Sequence, residues 1–190
     1  MKIYDISQEL FNCIVYPGDP KPEREQVMWV KNGDVCNLSK VSMCAHNGTH
    51  VDSPYHFYAD GKTIEQIDLS KFIGEAWVVS CEGEPNLVWL EDVLKNAPKK
   101  ILFKGNVIVT LDAAKLLNQY EIELVGVESQ SVGPVNAPKE VHLELLGKEV
   151  VLLEGIRLGD VPEGKYLLNA APINFGGADG APCRAVLLEM

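Results

Sequence analysis

Short runs of branched and apolar residues recur along this 190-residue chain, each bounded by polar or turn-forming positions. Runs of this kind are typical of strands that are buried in a sheet. Strands are therefore predicted in the N-terminal half at "KIYDIS", "QVMWV" and "NLSKVSMCA". Later strands are predicted at "WVVS" (77–80), "VIVT" (107–110), "ELVGV" (123–127), "EVVLLE" (149–154) and "RAVLLEM" (184–190).

Three segments between these runs have a helical pattern and recognisable boundaries. The first opens on an asparagine and ends before Pro98, the second follows Thr110, and the third has Pro138 early and Gly147 as a stop. These candidate helices are 86–97, 111–120 and 138–147. With no internal repeat and no obvious linker, residues 1–190 are predicted to form a single, strand-rich α/β domain.

The composition and net charge of the chain argue against some classes of partner and of targeting segment. A formal net charge of -10 disfavours nucleic acid and anionic membrane surfaces as partners. The start, "MKIYDISQEL", is acidic and lacks a long apolar core, so we expect neither a signal peptide nor, elsewhere, a membrane span.

The five cysteines are odd in number and include no C-x-x-C pair. We therefore expect reduced thiols in a cytoplasmic protein. A cysteine nucleophile is the alternative interpretation.

The segment "HNGTHVDSPYHF" (46–57) contains three of the four histidines. Its glycine, proline and β-branched residues disfavour a helix. In an extended chain His46, His50 and Asp52 would project to one side, which is a ligand set suited to zinc or manganese. His56 follows the turn at Pro54 and could approach the metal from another direction without ligating it. The alternative is that these are hydrogen-bonded core histidines.

The same segment closely resembles the H-x-G-T-H-x-D-x-P-x-H signature of the cyclase-like metal-dependent hydrolases, which include bacterial kynurenine formamidases and isatin hydrolases. The resemblance extends to "YPGDP", "ELVGVESQSVGP", "VVLLEGIRL" and "GADGAPCRAVLLE". His142 also precedes Glu154 by twelve positions, as in the second metal-ligand pair of that family.

The resemblance implies a swivelling β/β/α fold and two divalent ions, zinc or manganese, per subunit. The implied ligands are His46, His50 and Asp52 for one ion, and His142 and Glu154 for the other. His56 resembles the catalytic acid/base. The resemblance further implies a homo-oligomer, a dimer or tetramer, whose sites borrow residues from a neighbouring subunit.

The expected reaction is hydrolysis of an amide or formamide C–N bond by metal-activated water. N-formylkynurenine is the leading substrate, which makes the protein arylformamidase-like. A cyclic amide such as isatin is the alternative substrate, and a non-catalytic metal- or ligand-binding module is the alternative class.

Substrate contacts are less sharply indicated. Tyr16 stands where the kynurenine formamidases have a tryptophan that contacts the substrate, and it is interpreted either as a stacking residue or as a turn aromatic. Glu128 and Gln130 are either groups that orient the ligands or exposed polar residues. The glycine-rich "FGGADGAPCR" (175–184) is not a phosphate loop and could border the site, with Asp179 as a turn residue.

Overall fold

The computed structural model describes residues 1–189, in which eleven strands and three α-helices are formed. The strands are β1 (Ile3–Asp5), β2 (Glu23–Met28), β3 (Leu38–Ser42), β4 (His50–Asp52), β5 (Ile73–Ser80), β6 (Lys100–Lys104), β7 (Leu124–Val127), β8 (Val151–Glu154), β9 (Gly164–Asn169), β10 (Gly180–Pro182) and β11 (Val186–Leu188). The helices are α1 (Leu87–Leu94), α2 (Leu111–Gln119) and α3 (Lys139–Leu146).

Nine strands form one mixed sheet in the order β1-β11-β9-β5-β6-β7-β8-β4-β10. Its centre, β5 to β8, is parallel, and α1, α2 and α3 are the successive crossovers between these strands. The remaining pairs in this sheet are antiparallel. The predicted strand-rich α/β class is confirmed, whereas the assignment of residues 1–190 to one domain stays a prediction.

Two apolar cores cover the two faces of this sheet. One includes the buried helix residues Leu90, Leu117 and Leu145. The other includes Phe72 and Leu187. Within the described residues, no helix combines the length and the apolar character that crossing a bilayer requires.

All three predicted helices are present, and two have the predicted side-chain caps. The Asn86 side chain accepts hydrogen bonds from the backbone N–H groups at the start of α1, and Thr110 accepts one from Ala113 N in α2. Pro138 and Gly147 flank α3.

The strand predictions are mostly confirmed, with two corrections. The segment 107–110 is not a strand: Val107 forms a single bridge with Gly83, although Val109 N donates to Val132 O. "QVMWV" stops being a strand at Met28, where the ladder is irregular, and a short 3₁₀ turn follows. Position 190 of the last predicted strand lies outside the described residues.

Candidate metal centre

The three-residue strand β4, next to the edge of the sheet, carries two of the predicted ligands and aligns a third. It pairs with β8 on one side and β10 on the other, and the register places His50 directly opposite Glu154. Directly opposite residues lie close enough for their side chains to interact. His50 Nε2 is consequently 3.5 Å from Glu154 Oε2 and 3.5 Å from Asp52 Oδ1.

His46 reaches Asp52 from the turn that precedes β4. Gly48 within this turn has a φ of 71°, a conformation that glycine adopts without strain. His46 Nδ1 lies 2.8 Å from Asp52 Oδ1, and its Nε2 lies 2.8 Å from Asp179 Oδ2. Both ring nitrogens of His46 are therefore engaged by carboxylates.

His142 enters from α3, which is the crossover into β8. Its Nε2 lies 3.4 Å from Glu154 Oε1 and 3.9 Å from Asp52 Oδ2. The side chain is buried, and the ring of Phe57 stacks on it with centroids 4.7 Å apart.

Backbone carbonyls fix the tautomers of His50 and His142. His50 Nδ1 donates to Gly48 O at 3.0 Å, and His142 Nδ1 donates to Pro138 O at 2.8 Å. Because a carbonyl can only accept, Nδ1 must carry a proton in both rings. Each Nε2 is then directed at the carboxylates, the arrangement in which protein histidines bind metals.

The two carboxylates have unusual surroundings for buried acids. The side chains of Asp52 and Glu154 are only 1% and 4% exposed, and within the described residues their ion-pair partners are histidines alone. Glu154 Oε1 accepts a hydrogen bond from Val132 N, whereas Asp52 Oδ2 has no hydrogen-bond partner. Buried charges of this kind are ordinarily paired or bound to a metal.

Protonation in this cluster reflects the mutual attraction of its members. Burial would raise the pKa of Asp52, yet the charge of His46 and the hydrogen bond with it hold that pKa well below its usual range. Burial likewise opposes a charged His46, but Asp52 and Asp179 raise its pKa to about 11. Burial would also lower the pKa values of His50 and His142. The hydrogen bond that each of them forms with Glu154, together with the negative charges of Asp52 and Glu154, instead raises both pKa values.

Imidazole nitrogens and carboxylates are the ligands that zinc and manganese take in proteins. A divalent cation would supply the positive charge that these two buried carboxylates require. The orphaned Asp52 Oδ2 and the donor set therefore fit a divalent metal.

His56 lies beside the cluster and is more accessible than its members. Its side chain is 29% exposed, its ring centroid is 4.1 Å from that of His46, and its Nδ1 is 3.4 Å from Asp179 Oδ2. Two sets of possible ligands emerge from the geometry, His46–Asp52–His56 and His50–Asp52–Glu154. His56 is thus close enough to ligate as well as to act on a substrate, so its non-ligating role stays a prediction.

A cavity of about 210 Å³ opens over the cluster. Tyr16, Phe57 and Pro138 contribute apolar surface to its lining, and the Tyr16 hydroxyl donates to Val135 O at 3.1 Å. The lining, apolar surface with a few polar groups, suits a small molecule.

The structure also locates the residues whose roles were left open. Glu128 does not contact the cluster: its carboxylate accepts from the backbone N–H groups of Gly105 and Leu158. Gln130 lines the cavity, but its amide atoms are buried without hydrogen-bond partners.

Two residues of the site were missed from the sequence. Asp179 is more than a turn residue, since it contacts His46, and it reaches the site because the adjacent β10 pairs with β4. Phe57 is the last residue of the segment 46–57 and directly follows His56, so the sequence did carry a local signal for it.

Comparison with known proteins agrees with this architecture. A model of the family described as "Putative cyclase" matches residues 4–102. The structure of a potential metal-dependent hydrolase with cyclase activity is 28% identical, with a TM-score of 0.83, over 98% of this chain and 96% of that one. A predicted metal-dependent hydrolase from Bacillus stearothermophilus is 28% identical, with a TM-score of 0.81, over 98% and 97% of the two chains.

A more distant structure shares the fold. Isatin hydrolase A from Labrenzia aggregata, bound to benzyl benzoate, is 21% identical, with a TM-score of 0.83, over 98% of this chain and 93% of that one.

Proposed function

This chain belongs to the cyclase family, and on that premise we propose that it is a metal-dependent hydrolase of a small amide or formamide C–N bond. One observation carries the proposal. A backbone carbonyl contacts Nδ1 of His50 and another contacts Nδ1 of His142, which directs the Nε2 atom of each ring towards Asp52 and Glu154. These two buried carboxylates have no lysine or arginine partner among the described residues. The names of the two structures at 28% identity, a potential and a predicted metal-dependent hydrolase, support it.

We assign His46, His50 and Asp52 to one ion and His142 and Glu154 to a second. Asp52 and Glu154 lie among the histidines of both sets, which supports carboxylates shared between two zinc or manganese ions. When bound, such ions act as Lewis acids and lower the pKa of water towards neutrality.

His56 is assigned as the acid/base. Its half-buried ring lines the cavity, where it can take a proton from the attacking water and deliver it to the departing nitrogen. Asp179, 3.4 Å away, lies where it can orient the ring. An imidazole suits both halves of this proton transfer near neutral pH.

N-formylkynurenine is the substrate we propose first. Tyr16, Phe57 and Pro138 offer an apolar wall for an aryl group, and the hydrogen bond to Val135 O holds the Tyr16 ring at the cavity. Isatin, a cyclic aryl amide, presents the same apolar face and is the alternative substrate. We place the reaction in the cytoplasm, where the free thiols of the five cysteines would persist.

The test is turnover by the metal-reconstituted protein. Zinc- and manganese-loaded samples are assayed against N-formylkynurenine, isatin and a small aliphatic formamide. We expect metal-dependent hydrolysis of an aryl substrate. The complete absence of C–N hydrolysis by protein that retains its metal would favour the non-catalytic binding module.

The role of Tyr16 is tested with the same substrates. Tyr16→Ala is expected to raise KM for the aryl substrate more than for the aliphatic one, because only the aryl group loses a stacking surface. Tyr16→Phe is the matched control, since it keeps the ring and removes only the hydrogen bond to Val135 O. Equal effects of Tyr16→Ala on both substrates contradict stacking.

A further inference from the structure

The cavity over the metal centre contains a carboxylate that the proposed reaction does not use. Asp19 lines this cavity and is half-buried, but it belongs to neither set of possible metal ligands. Within residues 1–189 its carboxylate forms no ion pair. Its hydrogen-bond partner is the thiol of Cys44, whose Sγ donates weakly to Asp19 Oδ2 over 3.9 Å. The carboxylate is therefore free to accept a strong hydrogen bond from a cation.

Asp19 ends a tight turn that begins at Tyr16. Asp19 N donates to Tyr16 O at 3.1 Å, and Gly18 has a φ of 100°, which suits the third position of a type II turn behind Pro17. An aspartate in a turn commonly uses its side chain to accept from nearby backbone N–H groups. Among the described residues the Asp19 carboxylate accepts from the Cys44 thiol instead. The turn thus forms without help from the Asp19 side chain.

Hydrogen bonds on both sides of the turn hold it at the cavity. The Tyr16 hydroxyl donates to Val135 O, and Asn47 Nδ2 donates to Pro20 O at 3.1 Å. Asn47 itself is buried in the turn that precedes β4. The Asp19 carboxylate is consequently presented from a fixed backbone, as a binding residue requires.

The charged side chains around the cavity favour one kind of substrate. No lysine or arginine of residues 1–189 lines it, whereas Asp19 adds a carboxylate outside the ligand sets. A negatively charged substituent on a substrate would find no lysine or arginine there, and a positively charged one would find Asp19. Complementary charge of this kind gives a site its specificity.

We propose that Asp19 is a specificity-determining residue that binds a protonated amine, so that the substrate is an aryl amide or formamide with a cationic amino group. This inference rests on the proposed function and narrows its substrate class. Tyr16 at one end of the turn contacts the aryl group, and Asp19 at the other end accepts from the ammonium. N-formylkynurenine carries such an amine, whereas isatin carries none.

The test uses three formanilides that differ in the charge of one ring substituent: aminomethyl, methyl and carboxyl. The kcat/KM of each is measured with metal-loaded wild type and Asp19→Asn. Wild type is expected to prefer the aminomethyl over the methyl compound by about tenfold or more, the effect of one hydrogen bond to a charged group. Asp19→Asn should abolish most of this preference and improve the carboxyl compound relative to the methyl one. Because the readout is a ratio of two substrates on one variant, a general loss of metal or fold cancels.

Asp60→Asn is the matched control, because it removes the same charge from an exposed residue that does not line the cavity. It should retain the wild-type ratio, which separates a contact at the cavity from an effect of net charge. Equal ratios for wild type and Asp19→Asn overturn the proposal. So does a wild type that prefers the methyl or the carboxyl compound.

Binding distinguishes failure of this inference from failure of the proposed reaction. Hydrolysis without preference for the cation contradicts the role of Asp19 alone. If metal-loaded wild type hydrolyses none of the three compounds, the proposed function fails, and calorimetric titration of the intact compounds decides the role of Asp19. The aminomethyl compound should then bind wild type about tenfold more tightly than it binds Asp19→Asn. Equal Kd values, or no binding to wild type, contradict the inference.

Discussion

His46 lies between two carboxylates that come from distant parts of the chain. Asp52 follows it by six residues, whereas Asp179 is 133 residues away and contacts the opposite ring nitrogen. Asp179 also lies 3.4 Å from His56. One side chain therefore contacts both a proposed metal ligand and the proposed acid/base, which makes it a positioning residue for both.

Asp179→Asn is expected to reduce metal affinity or kcat by about 10–100-fold, the usual cost of removing a carboxylate behind a histidine ligand. The amide keeps the size of the side chain and loses its charge. Metal competition titrations and kcat measurements on the reconstituted protein separate the two effects. Asp160→Asn, at an exposed turn residue, is the control, and equal behaviour of the two variants contradicts the positioning role.

Cys183 is one of the cysteines on which the alternative hypothesis of a cysteine nucleophile can be tested. Burial raises the pKa of its thiol to about 12, which is opposite to the shift that activates a nucleophile. The thiolate fraction should therefore stay minute between pH 6 and 9 and rise about tenfold per pH unit. Mass-spectrometric mapping of alkylation against pH checks this, and Cys183→Ala should retain wild-type kcat. Fast labelling at pH 7 or loss of turnover in the variant contradicts it.

The ligands that could be predicted from the residues alone are those that lie close together in one short segment of the sequence. His50 and Asp52 lie two positions apart in the extended strand β4, so their spacing alone places them on one side. The prediction of an extended chain was wrong for His46, which reaches the site from the turn before that strand. His142 and Glu154 depended on the family resemblance, because a histidine in a helix and a glutamate at a strand end carry no distinctive pattern. Asp179 reaches the site only through the pairing of β10 with β4, which leaves no local signal.

The strands β4 and β10 at the edge of the sheet have only three residues each, and they must leave space for the side chains of the metal site. Gly180, the first residue of β10, pairs with Asp52. A Cβ at Gly180 would lie 2.8 Å from His46 Cε1 and 2.8 Å from Val51 O. The absence of a side chain here is what gives the His46 ring its space.

Gly180→Ala is therefore expected to displace His46 and to lower metal affinity and kcat together. Gly176→Ala is the matched control in the same glycine-rich segment, because a Cβ there meets no atom within 4 Å. Metal content and kcat of both variants are measured side by side. If Gly180→Ala retains its metal and its kcat as Gly176→Ala does, then the space that Gly180 leaves beside the His46 ring is not needed for metal binding or catalysis.

Among the secondary-structure elements, the three helices and most of the apolar strands were predicted, whereas β6, β9 and β10 were not. The three helices have caps and apolar periodicity within their own sequences. By contrast, β6 begins and ends with lysine, and Lys100 is buried beside Glu123. β9 alternates between buried and exposed residues, and β10 contains glycine and proline, so neither resembles an apolar strand. The segment 107–110 is apolar because it is buried, not because it joins a ladder.

For the chain as a whole, the proposed metal would link β4, β8 and α3, because each of these elements carries at least one of its ligands. A ligand that binds only the folded state stabilises it by about 2.7 kcal/mol at a hundred times its Kd. Removal of metal by a chelator should thus lower Tm by roughly 5–10 °C. Calorimetry of wild type with chelator, and again after zinc or manganese is restored, measures the change. His142→Ala is the control and should show a smaller chelator effect; an unchanged wild-type Tm contradicts the coupling.

The central claim is that buried histidines and carboxylates hold a catalytic metal while His56 acts on the substrate. Metal content per chain tests it most directly, measured by mass spectrometry on wild type, His50→Ala and His56→Ala after identical zinc or manganese loading and desalting. His50 is buried among the carboxylates, whereas His56 is partly exposed. We predict that wild type and His56→Ala retain the metal, that His50→Ala loses it, and that kcat of His56→Ala falls by about 10²–10⁴-fold. Metal-free wild type, or metal-free His56→Ala, would contradict the account.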